Sequence, residues 1–150
     1  MKISREKMSL RFDLFEPARV EKIQALEESI GVKLPSDFIE FLKISDGGYV
    51  NTQDGFFSFW PVSESENFDG TIALNNPDLL VSGGEFLAIG LDDKDELFGF
   101  LLSDLEKKPF LSTPTKSEEA RVYVLIHEEG EYIIYSNTFK AFVEKLCQSD

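Results

Sequence analysis

The sequence predicts an α+β fold: two helices near the start, one at the end, and a largely antiparallel or mixed sheet between them. Three observations predict it. Apolar residues recur at helical spacing in residues 17–44 and again in 138–146. Between these segments the period shortens, and aromatic or β-branched runs alternate with Gly, Asn, Asp and Pro. No internal repeat, low-complexity tract or linker divides the 150 residues, a length that suits one domain. A chain of this size buries roughly 70% of its unfolded surface, so it needs no covalent or metal staple.

Residues 1–16 form an N-terminal leader or an edge strand. Leu10, Phe12 and Leu14 alternate with Arg11 and Asp13, which suits a short strand. The main domain is expected over 17–150. Pro17 is placed to open a first helix that runs to Ile30, with Glu21 in its first turn. Val20, Ile23, Leu26 and Ile30 give it one apolar face, and Gly31 is its stop. A second helix follows from Pro35 to Ile44. Phe38, Phe41 and Leu42 share a face, and Asp46-Gly47-Gly48 closes the segment. Strands are expected at 56–60, 86–90, 97–102, 121–126 and 131–135. Asp92 to Glu96 reads as an acidic turn, and His127-Glu128-Glu129-Gly130 as a hairpin connection. Ser136 or Asn137 is placed to cap a last helix carrying Phe139, Phe142, Val143 and Leu146.

The order helix, Gly31, Leu34-Pro35, helix, Asp-Gly-Gly resembles the SUKH superfamily, the Smi/Knr-like proteins. Leu26, Glu27, Gly31, Leu34, Pro35, Phe38, Phe41, Leu42, Gly47 and Gly48 carry the match. Phe86 to Gly90 resembles the family's central strand, and Thr138 to Phe142 its closing helix. The resemblance implies helices packed against a curved sheet. It also implies a role as a bacterial immunity protein that neutralises a toxin, or as a fungal-type cell-wall regulator.

Charge is unevenly placed. The chain carries a net −13, and residues 51–106 hold twelve Asp or Glu against one Lys, Lys94. That acidic middle argues against direct nucleic-acid binding, which needs Lys and Arg for phosphate. No basic amphipathic helix is visible, and anionic lipid repels such a surface. One Cys forbids an internal disulfide. With no leader signal and no long apolar run, a cytoplasmic protein is expected.

Residues suited to catalysis are sparse. The single His, His127, sits among charges in a turn, and Cys147 lies near the C-terminus. One His and one Cys cannot supply the usual ligands of zinc. The cluster Asp92, Asp93, Asp95 and Glu96 lacks the glycine and terminal glutamate of a calcium loop. No phosphate-binding glycine motif and no cofactor site is expected. An enzyme using paired carboxylates would need an apolar cleft with two facing acids of divergent pKa.

Binding is the better use of this composition. The expected partner surface comprises Asp92, Asp93, Asp95 and Glu96, with Glu64, Glu66 and Asp69 as a second patch and Tyr49 as an aromatic anchor. Trp60 and Asp54 flank the first strand, at 56–60, and Trp60 reads more readily as a core residue. The expected partner is a basic protein, a cognate toxin domain on the family resemblance, with nucleases among the toxin classes implied. A carboxylate patch would occlude such an active site by standing in for nucleic acid. The alternative is a regulatory scaffold of the Smi/Knr cell-wall type that binds cellular proteins. The chain itself is expected to be a monomer or weak homodimer.

Overall fold

The computed structural model describes residues 4–52, 55–62, 86–107, 120–126 and 131–148. The hairpin connection expected at 127–130 lies outside the described residues. Seven strands form one antiparallel sheet in the order β1-β3-β4-β5-β6-β8-β9. They are β1 (Phe12–Leu14), β3 (Gly48–Thr52), β4 (Gly55–Phe59), β5 (Phe86–Asp92), β6 (Leu97–Leu101), β8 (Val122–Ile126) and β9 (Glu131–Ser136). Strands β2 (Val32–Lys33) and β7 (Glu106–Lys107) make a separate ribbon. The helices are α1 (Arg5–Met8), α2 (Val20–Ile30), α3 (Ser36–Ile44) and α4 (Phe139–Gln148). The architecture is α+β with an antiparallel sheet, as the periodicity predicts, and no parallel pair occurs among the described strands.

Two helix starts differ from the sequence expectation. Pro17 does not open α2, which begins at Val20 after an extended Arg19. The Ala18 N–H donates instead to the Leu42 carbonyl at 2.8 Å, so a long-range bond to α3 overrides the local start signal. Pro35 stands one residue before α3, with extended ψ of 141°. Gly31 ends α2 with φ of 72°, and its N–H donates to the Glu27 carbonyl. The Glu27 carboxylate accepts from the Leu34 N–H at 2.8 Å, closing the link between α2 and α3. Burial pushes the Glu27 carboxyl upward, partly offset by that N–H.

The core between helices and sheet is aromatic. Phe38 and Phe41 of α3, Phe59 of β4, Phe98 and Phe100 of β6, and Phe139 and Phe142 of α4 are fully buried. Phe38 meets Phe139 edge-on at 4.9 Å, and Phe59 meets Phe98 at 5.1 Å. Strand alternation sends Phe86, Ala88, Tyr123 and Leu125 to the opposite face, where they form a smaller buried cluster. Trp60 is half-buried and packs against both clusters, so its core role prevails.

Ser45 and Asp46 fasten α3 to the sheet. The Ser45 hydroxyl donates to the Gly47 carbonyl and accepts from the Phe15 N–H, both at 2.7 Å. The Asp46 carboxylate accepts from the Val62 N–H at 2.6 Å, and the Asp46 N–H donates to the Glu16 carbonyl. Gly47 and Gly48 have φ of 94° and 137°; an added Cβ would lie 2.6 Å from the Phe59 carbonyl and 2.7 Å from the Asp13 carbonyl. Backbone is the obstacle in both cases, so only glycine lets β1 and β4 approach β3 here.

The cap of α4 comes from elsewhere than the residues expected. Thr138, not Ser136 or Asn137, accepts from the Ala141 N–H at 3.0 Å. Asp37 of α3 accepts from the Lys140 N–H and the Phe38 N–H, each at 2.9 Å. One carboxylate thus serves two helix starts, where its charge is favoured. Burial nevertheless pushes its pKa upward, and the backbone N–H groups offset only part of that.

Phe41→Ala, at a site with no exposure, is expected to lower stability by about 3–5 kcal/mol in urea unfolding. Gly48→Ala should lower it by more than about 1 kcal/mol, because backbone strain adds to the close approach of the new Cβ to the Asp13 carbonyl. For Asp37 the folded pKa lies above the unfolded one. Between the two, the folded chain holds a proton that the unfolded chain has lost, so this stabilisation falls as pH rises. The stability of wild type minus Asp37→Asn should therefore decline as pH rises above the ordinary Asp range, about pH 4; a difference that rises would contradict the assignment.

Candidate partner-binding surface

The acidic turn between β5 and β6 is built around Asp92. Its N–H donates to the Glu96 carbonyl at 3.0 Å, which keeps the strands paired to their ends. Its carboxylate oxygen Oδ1 accepts from the Lys94 and Glu96 N–H groups, both at 2.9 Å. This is the Asp side chain standing in for a backbone carbonyl in a tight turn. Asp95 completes the turn with φ of 61°, a conformation Asp tolerates better than most residues. Asp92 is thereby committed to structure. Asp93 and Asp95 are exposed and Glu96 half-buried. The Asp93 carboxylate lies over Gly55, whose missing Cβ would sit 3.0 Å from both oxygens.

Register places other strand ends beside this turn. Asp92 pairs with Phe57 of β4. Phe98 pairs with Val124, which puts Glu96 level with Ile126, and Ile126 pairs with Glu131 of β9. One row across four strands therefore holds Asp92, Glu96 and Glu131, with Asp93 and Asp95 just beyond it. Thr52 and Gly55, the facing ends of β3 and β4, lie at the same end of the sheet. Lys94 is the only described cation in the turn itself. Glu131 carries no local signal in the sequence, because its place in this row follows from strand order and register.

Tyr49 stands apart from the turn. It pairs with Asp13 and Ser58, two strands from Asp92. Its ring lies half-buried between Phe15 at 5.5 Å and Phe56 at 5.7 Å. The structure thus does not bring Tyr49 and the acidic turn into one group. Glu64, Glu66, Asp69 and Asp54 lie outside the described residues.

Two carboxyls with raised pKa, Glu27 and Asp37, are engaged by backbone N–H groups at helix junctions. Cys147 is half-buried on α4, and burial pushes its thiol upward, away from the reactive thiolate. Among the described residues, no group of three His, Cys, Asp or Glu is placed to hold a metal ion. No described helix is long and apolar enough to cross a membrane.

The architecture defines a class first: an α+β domain whose helices cover one face of an open seven-stranded antiparallel sheet. The chain belongs to the SMI1 / KNR4 family (SUKH-1), whose family model matches residues 17–145. No curated protein matches the chain. The matched span holds every residue that carries the resemblance in the sequence. The structure gives these residues fold-bearing places: Leu26, Leu34, Phe38, Phe41 and Leu42 in the core, Glu27 and Gly31 at the α2 exit.

The turn's carboxylates divide by role, and stability reads the division. Asp92→Ala removes an acceptor for two N–H groups and should lower stability by about 1–2 kcal/mol. Asp93→Lys should change it by no more than about 0.5 kcal/mol. Equal losses in thermal unfolding would show that Asp92 does not hold the turn.

Proposed function

We propose that this chain is a non-enzymatic protein-binding module: an immunity protein that neutralises a toxin by covering its active site with an acidic surface. The observation that supports this reading most is the row of Asp92, Glu96 and Glu131, extended by Asp93 and Asp95, at one end of the sheet. Carboxylates held on a rigid sheet lose little freedom on binding, which favours them over charges on a loose loop. Family membership supports a protein partner. The partner's chemistry follows from charge: a basic cleft, as a nuclease presents to phosphate, is complementary to this end of the sheet.

Attraction of this kind acts mainly on encounter. The Debye length is about 10 Å at 0.1 M salt and about 3 Å at 1 M, so association should slow steeply as salt rises. Asp93, Asp95 and Glu96 are the residues to vary, since Asp92 is bound up in the turn.

The test is capture from native host lysate at low and high salt, with captured proteins identified by mass spectrometry. A toxin-domain protein held by wild type, weakened by salt and lost with Asp93→Lys plus Glu96→Lys, is the expected outcome. Capture of cell-wall or housekeeping proteins would favour the Smi/Knr-type scaffold instead. Binding of the toxin that ignores both salt and charge reversal would remove the acidic surface from the mechanism.

A further inference from the structure

Among the described strands β9 is the far edge of the sheet, and none of them pairs with its outer side. It reads Glu-Tyr-Ile-Ile-Tyr-Ser, and Ile133 and Ile134 are 49% and 50% exposed. Their neighbours are anchored. Tyr132 packs on Phe86 at 5.2 Å, and Tyr135 packs on Phe142 at 5.3 Å from the other face. The strand is thus held firmly by its tyrosines while it presents two isoleucines. Natural edges are usually blunted by Lys, Pro, shortness or a bulge. The opposite edge, β1, has three residues with exposed Asp13 at its centre. On β9 the register shift falls at Tyr135, leaving Glu131 to Ile134 in regular pairing.

We propose that β9 accepts an extended segment of a partner protein as an eighth, antiparallel strand, and that this segment carries apolar residues followed by Lys or Arg. The backbone edge supplies hydrogen bonds, and Ile133 and Ile134 supply one apolar contact on each face. Antiparallel pairing is the more stable ladder. It also settles the order of the partner's residues. Strand β9 starts at the acidic end of the sheet, at Glu131, and runs away from it. An antiparallel segment therefore finishes there, with its C-terminal flank beside Glu131 and within the field of Glu96, Asp95 and Asp93. A second copy of this chain is the poorer occupant. Each copy carries a net −13, and a single strand edge falls short of the roughly 1,200 Å² that stable interfaces bury. The sign of the flank rests on the acidic-surface reading above; the strand addition does not.

The test uses the full chain and a displayed library of random linear peptides, with enriched peptides resynthesised for binding and hydrogen exchange. Enriched peptides should show two adjacent apolar residues, one for each face of the strand, followed by Lys or Arg, and should slow exchange of the amides in Glu131–Ile134. Ile133→Ser plus Ile134→Ser should weaken binding about tenfold. These side chains are half exposed, and an unchanged circular dichroism spectrum will confirm that the variant folds. Protection of β9 without preference for basic flanks would sink the acidic-surface reading and leave the strand addition standing. A basic preference that responds to Asp93→Lys but leaves β9 exchange unchanged would overturn the strand addition alone. No enrichment at all would overturn it too. Slowing of the same amides with rising protein concentration, in the absence of peptide, would show that a second copy is the occupant.

Discussion

The corner at Ser45, Asp46, Gly47 and Gly48 is the constraint on which the rest of the fold depends. Here α3 must turn into β3 while β1 and β4 close against the turn. Ser45 is fully buried and Asp46 nearly so, and each satisfies backbone groups from a different part of the chain. A buried polar group left without a partner costs about 1–3 kcal/mol, so these bonds fix the corner's geometry more by what their loss would cost than by their net gain. Gly47 and Gly48 add a steric condition, since any side chain would meet the carbonyls of Phe59 or Asp13. Arg5 secures the same corner from outside, donating to the Phe15 and Ile44 carbonyls.

With the corner fixed, the aromatic core follows. Helix α3 is laid across the sheet so that Phe38 and Phe41 face Phe59, Phe98 and Phe100, and α4 fills the remaining side with Phe139 and Phe142. Asp37 ties the two helices at their starts. The surface then has two unequal ends. At one, register gathers carboxylates from β5, β6 and β9. Along the last edge, β9 shows Ile133 and Ile134, and no described strand pairs with its outer side. Both are consequences of strand order.

The sequence alone located α2, α3 and α4, most strands of the sheet and the family, but not α1, β3 or the β2–β7 ribbon. Phe38, Phe41 and Leu42 at helical spacing, Gly31 at a helix exit and the aromatic run 56–60 are local patterns, and local patterns follow from propensity and periodicity. It also located the acidic turn at 92–96, because Asp, Lys and Glu between two apolar runs leave no other local choice. Contacts distant in sequence decided the rest. Ala18 bonds Leu42 and so delays α2 beyond Pro17; Asp37 caps a helix 103 residues away. Asp92 became a turn-former rather than a free charge, Tyr49 joined an aromatic group away from the turn, and Glu131 entered the acidic row. Whether a strand is central or an edge is a property of the sheet and of no single strand, so the exposure of Ile133 and Ile134 was decided only by tertiary structure.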